Sequence, residues 1–193
     1  MIREPLEVIS KRIQNTFKMM TKEKDKMVKI YYATSIATQG ETLDSIRVAN
    51  NLRNLGYEVY VASENKSIND KSNNPTPEDI FNGDIYEILS SDIFVVNLTG
   101  GTQDGTISEI GFVAGWNEAG IQDDEAVRKI TRIPIVAFTT NTRLMQPQHH
   151  HGVPSASANH LVLGMIDKFG EFVGGEKDLY EYLSNRNNGK IKS

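Results

Sequence analysis

Glu109 occupies an unusual place for a helix carboxylate. The stretch DGTISEIGFVAG, residues 104–115, carries Ile107, Ile110, Phe112, Val113 and Ala114 at helical spacing, and Glu109 borders that stripe one turn from Phe112 and Val113. A solvent-facing glutamate is the commonplace alternative. Within the first turns of a helix, however, backbone N–H groups and the helix dipole hold an anion, so a carboxylate there stays ionised and oriented, which suits a nucleophile. Asp104 and Gly105 stand at the expected helix start, where an aspartate before glycine is also an ordinary cap and turn residue. Asp84, in FNGDIYEILSSD, lies close to a stripe of Ile80, Ile85 and Ile88, with a plain surface charge as its alternative. Tyr31 and Tyr32 fall in the first apolar run, where tyrosines usually pack and hydrogen-bond their hydroxyls.

Other motifs point away from common chemistries. Gly100, Gly101 and Gly105 form a glycine loop, but the G-x-G-x-x-G spacing is absent and two acids follow, which would repel a phosphate. No G-x-x-x-x-G-K-S/T occurs. The run His149–His151 invites a metal reading, yet adjacent side chains diverge while metal ligands must converge, so a loop that covers the site is the better reading and no metal is expected. The chain has no cysteine, which excludes disulfides, thiolate metal sites and a cysteine nucleophile. Net charge is -4, so no global basic field draws the protein to nucleic acid or anionic lipid. No apolar run approaches a membrane span, and residues 1–27 lack the apolar region of a secretory signal, so a cytoplasmic location is the expectation.

The elements that must position these residues follow from periodicity. Residues 5–23 place Leu6, Ile9, Ile13, Phe17 and Met20 on one helical stripe, followed by the solvated TKEKDK. That amphipathic helix must cover either the domain's own surface or a neighbouring subunit. Strands are predicted at 28–36, 57–63, 93–98 and 133–138, with a short edge strand at 170–175. Helices are predicted at 41–56, 77–92, 106–119, 157–169 and 176–185, with long loops at 63–76 and 139–155. Alternating strands and helices in 193 residues predict one doubly wound α/β domain: a parallel sheet of about five strands flanked by helices, over residues 27–186. Residues 1–26 form an appendage and 187–193 a solvated tail. In such sheets ligands sit beyond the carboxyl ends of the strands. Asp104 and Glu109 follow the third strand directly and so fall on that side.

Together the segments KIYYATSI, DIYEILSSDIFVVNLTGGTQDGTISEIGFVAG and IPIVAF resemble the nucleoside 2-deoxyribosyltransferase family, over roughly residues 29–138. The most specific part is an aspartate on the helix before the third strand, then that strand, then D-G-x-x-x-E-x-G. The N-terminal helix and the long loop 139–155 depart from the family pattern. The resemblance implies transfer of 2-deoxyribose between a deoxynucleoside and a free nucleobase, without cofactor or metal. Glu109 would be the nucleophile, Tyr31 its orienting partner, and Asp84 the acid at the base. Asp104, with Gly105, would hold the sugar hydroxyls. It also implies a homo-oligomer with shared sites, for which Asn159 is the candidate contributed by a neighbouring subunit. Two other readings stand beside this one. Ser35 and Gly40 in ATSIATQG have some character of a 5′-phosphate loop, as in related nucleotide N-glycosidases. The N-terminal helix would also fit a non-catalytic nucleoside-binding module.

Overall fold

Runs of β-branched and aromatic residues form the five strands of the main sheet, and their alternation decides which side chains face which helix layer. The computed structural model describes residues 27–66, 74–99, 103–119, 132–142, 149–150, 153–154 and 159–189. In chain order the elements are β1 (Lys29–Ala33), α1 (Gln39–Asn54), β2 (Glu58–Val61), α2 (Pro77–Leu89), β3 (Ile93–Asn97), α3 (Asp104–Ala119), β4 (Ile135–Thr139), β5 (His149–His150), β6 (Val153–Pro154), α4 (His160–Phe169), β7 (Gly170–Gly175) and α5 (Glu176–Asn187). The main sheet has the order β2-β1-β3-β4-β7, and every pairing in it is parallel. This is the doubly wound α/β fold predicted from the sequence.

The pleat divides the core in two. Tyr31, Ala33, Phe94, Val96, Ile135 and Ala137 face one layer, where Ile88 of α2, Ile110 and Val113 of α3 and Val162 and Ile166 of α4 pack on them. Ile30, Tyr32, Ile93, Val95, Val136 and Phe138 face the other, against Val48 and Leu52 of α1 and Leu179 and Leu183 of α5. β3 and β4 are buried along their whole length, which is why both read as continuous apolar runs. The chain winds from β1 to β2 on one side and then crosses back to β3 on the other. The switch point therefore lies between β1 and β3, where such folds open a crevice at the strands' carboxyl ends.

Helix starts carry their signals. Thr38 and Glu41 form a capping box at α1, and Thr76 and Asp79 form one at α2, with Pro77 in the first turn. Most element ends shift by a few residues from the sequence prediction, and three departures have a visible structural basis. α3 begins at Asp104 rather than at 106, because Ile107 N already donates to Gln103 O at 2.8 Å. α5 reaches Asn187, whose side chain donates to Leu55 O at 3.1 Å and so extends the helix into the stretch read as tail. Inside the region read as one long loop, His149–His150 pairs antiparallel with Val153–Pro154. The predicted N-terminal helix, residues 100–102 of the glycine loop and His151 lie outside the described residues.

Where β7 leaves α4, Gly170 pairs with Ile135 so closely that an added Cβ would come to 1.6 Å from the Ile135 carbonyl oxygen. Gly170→Ala must therefore shift the edge strand, and we expect a loss of about 2–4 kcal/mol or failure to fold. Gly111, in α3, has nothing within 4 Å of such a Cβ. Gly111→Ala should raise stability by about 0.5–1 kcal/mol through helix propensity. Denaturant midpoints of the two variants check both directions.

Candidate active site

Tyr31 points from β1 into the helix layer formed by α2, α3 and α4, and its hydroxyl donates to Glu109 Oε1 of α3 at 2.6 Å. The phenol ring lies between Tyr60 of β2, 5.1 Å away, and Phe94 of β3, 5.5 Å away, both stacked on it. Strand register sets this order, since Tyr31 pairs with Tyr60 on one side and with Phe94 on the other. Tyr60 in turn donates to Asp84 Oδ1 of α2 at 3.3 Å and accepts from Asn65 Nδ2 at 3.0 Å. One chain of contacts thus joins Glu109, Tyr31, Tyr60 and Asp84 across the switch point, with two carboxylates at its ends.

The electrostatics follow from burial. Glu109 is pushed up to about 7, first by burial and then by the charge of Asp84, while the Tyr31 hydrogen bond pulls it back down. Asp84 is also raised, by burial and by Glu87, against the Tyr60 hydrogen bond. Burial and the neighbouring Glu109 push the Tyr31 phenol far above its ordinary range, so it remains a neutral donor. The helix start was expected to keep Glu109 ionised throughout. Desolvation outweighs that effect here, and the carboxylate titrates near neutrality.

The other sequence candidates fall into two groups. Asp104 is exposed in the first turn of α3, and its Oδ1 accepts from Gly105 N at 3.0 Å. Gly105 stands one turn before Glu109, and a Cβ there would meet nothing within 4 Å, so open space adjoins the Glu109 face of the helix. Ser35 is buried beyond β1 and hydrogen-bonds the Glu41 carboxylate, which also accepts from Thr38 N and Oγ1 at 2.8 and 2.9 Å. Asn159 is the N-cap of α4, accepting from Leu161 N at 2.8 Å, and among the described residues no hydrogen bond joins it to the Tyr31–Glu109 pair. Among the described residues no cluster of His, Asp or Glu could hold a metal.

Tyr60 and Asn65 escaped the sequence reading. The signal for Tyr60 was present in YEVYVAS, where the period of two sets it against its buried neighbours Val59 and Val61. Only the register of β2 on β1 puts it beside Tyr31. Asn65 lies in a turn and carried no periodic signal.

The fold and this site define a doubly wound α/β domain with a tyrosine–carboxylate pair at the switch point of its sheet. No family model matches the chain, and no curated protein matches it. Among solved structures, a conserved protein from Enterococcus faecalis superposes with a TM-score of 0.65 and 26% identity, over 83% of this chain and 99% of that one. A 2-deoxyribosyltransferase from Bacillus psychrosaccharolyticus superposes with a TM-score of 0.49 and 16% identity, over 80% of this chain and 92% of that one. No described helix is long and apolar enough to cross a membrane.

The raised Glu109 has a direct effect on stability. Its folded pKa of about 7 exceeds the ordinary 4.5, so the native state holds the proton more tightly than the unfolded chain. Stability contributed by this group is fully present below 4.5 and is lost as pH rises through about 7. Glu109→Gln removes that dependence. We expect the variant to match wild type near pH 4 and to exceed it at pH 8, by an amount on the order of 3 kcal/mol. Equilibrium unfolding at the two pH values reads the difference.

Proposed function

We propose that the protein transfers 2-deoxyribose between nucleobases through a covalent deoxyribosyl ester on Glu109, with net retention at C1′. The observation that carries this reading is the 2.6 Å hydrogen bond from Tyr31 to Glu109 Oε1. It fixes one carboxylate oxygen and leaves the other to meet C1′. As the C1′–N bond breaks, positive charge grows at C1′ beside the carboxylate, and negative charge grows on the departing base. Asp84, raised by burial, supplies the proton that the base takes up. A second base then attacks C1′ from the vacated side, releases Glu109 and returns a proton to Asp84. The two inversions leave the configuration unchanged.

Asp104, exposed one turn ahead of Ser108, holds the sugar hydroxyls in this scheme, over the space that Gly105 leaves open. Neither cofactor nor metal takes part. A homo-oligomer in which Asn159 serves a neighbouring subunit, and a cytoplasmic location, belong to the same reading. Hydrolysis of a nucleoside 5′-monophosphate is the main rival, and the start of α1 speaks against it. There the Glu41 carboxylate, held below its ordinary range by Ser35 and Thr38, already takes the donors that a phosphate would need. Its charge would also repel one.

Glu109→Ala should abolish base exchange between a deoxynucleoside and a free base while the protein stays folded. Full exchange by the folded variant would end the proposal. In the wild type, kcat/KM for exchange should rise with pH through about 7, because the nucleophile must shed its proton. Tyr31→Phe removes the contact that pulls Glu109 down, so this limb should move to higher pH. A profile flat across this range would show that Glu109 is not the titrating nucleophile.

A further inference from the structure

Tyr60 and Asn65 are half-buried and have no task in the transfer scheme, yet the fold holds both in place. Strand register seats Tyr60 beside Tyr31, and the two rings stack 5.1 Å apart. Asn65 follows the 3-10 turn Ala62–Glu64, and its backbone N–H donates to Ala62 O at 3.1 Å. That turn is pinned to α1 twice. Arg53 grips the Glu64 carboxylate with two guanidinium nitrogens, at 3.1 and 2.5 Å, and the Ser45 and Ser63 hydroxyls meet at 2.7 Å. Asn65 therefore arrives at a fixed point, where its Nδ2 donates to the Tyr60 oxygen at 3.0 Å. A phenol has one proton to give and lone pairs with which to accept. Asn65 Nδ2 fills an acceptor site and cannot take the proton. Among the described residues the other partner of the Tyr60 hydroxyl is Asp84 Oδ1, at 3.3 Å. Burial, with the charges of Asp84 and Glu87, pushes the Tyr60 phenol up to about 12 against the Asn65 bond, so it keeps its proton and acts as a donor.

We propose that Tyr60, aimed by Asn65, is a positioning residue for Asp84: it commits its proton to Asp84 Oδ1 and so reserves Oδ2 as the oxygen that gains and loses the proton of the site. The assignment rests on the transfer reading only for what receives that proton. With Oδ1 engaged as an acceptor, a neutral Asp84 carries its hydrogen on Oδ2. As the C1′–N bond breaks, its electron pair stays on the base nitrogen, the Oδ2 proton moves to the base, and Asp84 is left as a carboxylate. The Tyr60 bond is slack at 3.3 Å for a neutral acid and strengthens toward the anion, so it favours the step that makes the anion. The incoming base then returns a proton to Oδ2. The other groups around Asp84 give that anion no help. Glu87 on the same helix and Glu109 of α3 are acidic, and Tyr31 of β1 is held neutral with its proton on Glu109. Lys29 of β1 is taken by Glu87 at 2.6 Å. Among these neighbours Tyr60 is the one whose hydrogen bond lowers Asp84.

Two readouts on the full chain test this. The first is the titration of Asp84, followed by carboxyl-carbon NMR and assigned with Asp84→Asn. Tyr60→Phe keeps the ring on Tyr31 and removes only the hydroxyl, and should move the titration to higher pH by about 0.5–1 unit. Asn65→Ala should move it the same way by less, and should add nothing on top of Tyr60→Phe. A titration that stays put or moves down in Tyr60→Phe would overturn the proposal, since Tyr60 would then be accepting from Asp84 or bonded elsewhere. The second readout separates positioning from a merely structural role. Tyr60→Phe should lower kcat/KM about tenfold for a deoxynucleoside, whose base departs with a proton. It should leave unchanged the first-turnover release of 4-nitrophenolate from 4-nitrophenyl 2-deoxyriboside, which departs without one. Equal losses on the two substrates would also overturn the proposal. A wild type that turns over neither substrate would end the transfer reading instead, and the Asp84 titration alone would then decide the role of Tyr60.

Discussion

The site depends on one constraint: a carboxylate must be drawn out of water without losing its charge altogether. Glu109 meets it through a donor from the sheet beneath it, the Tyr31 hydroxyl. A short hydrogen bond to an ionised acceptor is worth about 1.5–3 kcal/mol, comparable to the cost of partial desolvation. The balance leaves the group poised near neutrality. Tyr31 cannot take over the charge itself, because burial and Glu109 together hold the phenol neutral. Donor and acceptor roles in the pair are therefore fixed.

That bond makes demands on the rest of the fold. Tyr31 must not swing, and the stacked rings of Tyr60 and Phe94 hold it from two neighbouring strands. Those strands must keep register, and the parallel ladders on either side of β1 enforce it. α3 must enter at a fixed height. Gln103 is buried at its start and hydrogen-bonds Thr99, and near the helix's far end Asn117 exchanges two hydrogen bonds with the backbone of Ile133 ahead of β4. α2 stands apart from this pattern, since it brings Asp84 to the site with only one fully buried anchor of its own.

A Glu109 that is costly to ionise also shows where stability gives way to chemistry. A glutamine would fill the same volume without the desolvation cost. The proposed role of Glu109 as nucleophile would account for an acid retained at that cost. The same logic applies to Asp84, where Glu87 nearby adds to the cost.

Much of this was legible in the residues alone. The order of strands and helices, the continuous burial of IFVVN and IVAFT, and the placement of Glu109 beside an apolar stripe all follow from periodicity, which is a local property of the chain. So does the location of Asp104 and Glu109 beyond the carboxyl end of β3. The tertiary structure decided what periodicity cannot carry. It put Tyr60 next to Tyr31 through the pairing of two strands, and set Asp84 on Tyr60 through a helix crossing. It also gave Asn159 a capping bond at the start of α4. Above all it determined the state of Glu109: the sequence supplies the helix start that favours an anion, but desolvation depends on everything packed around the group, and those neighbours come from β1, α2 and α3 at once.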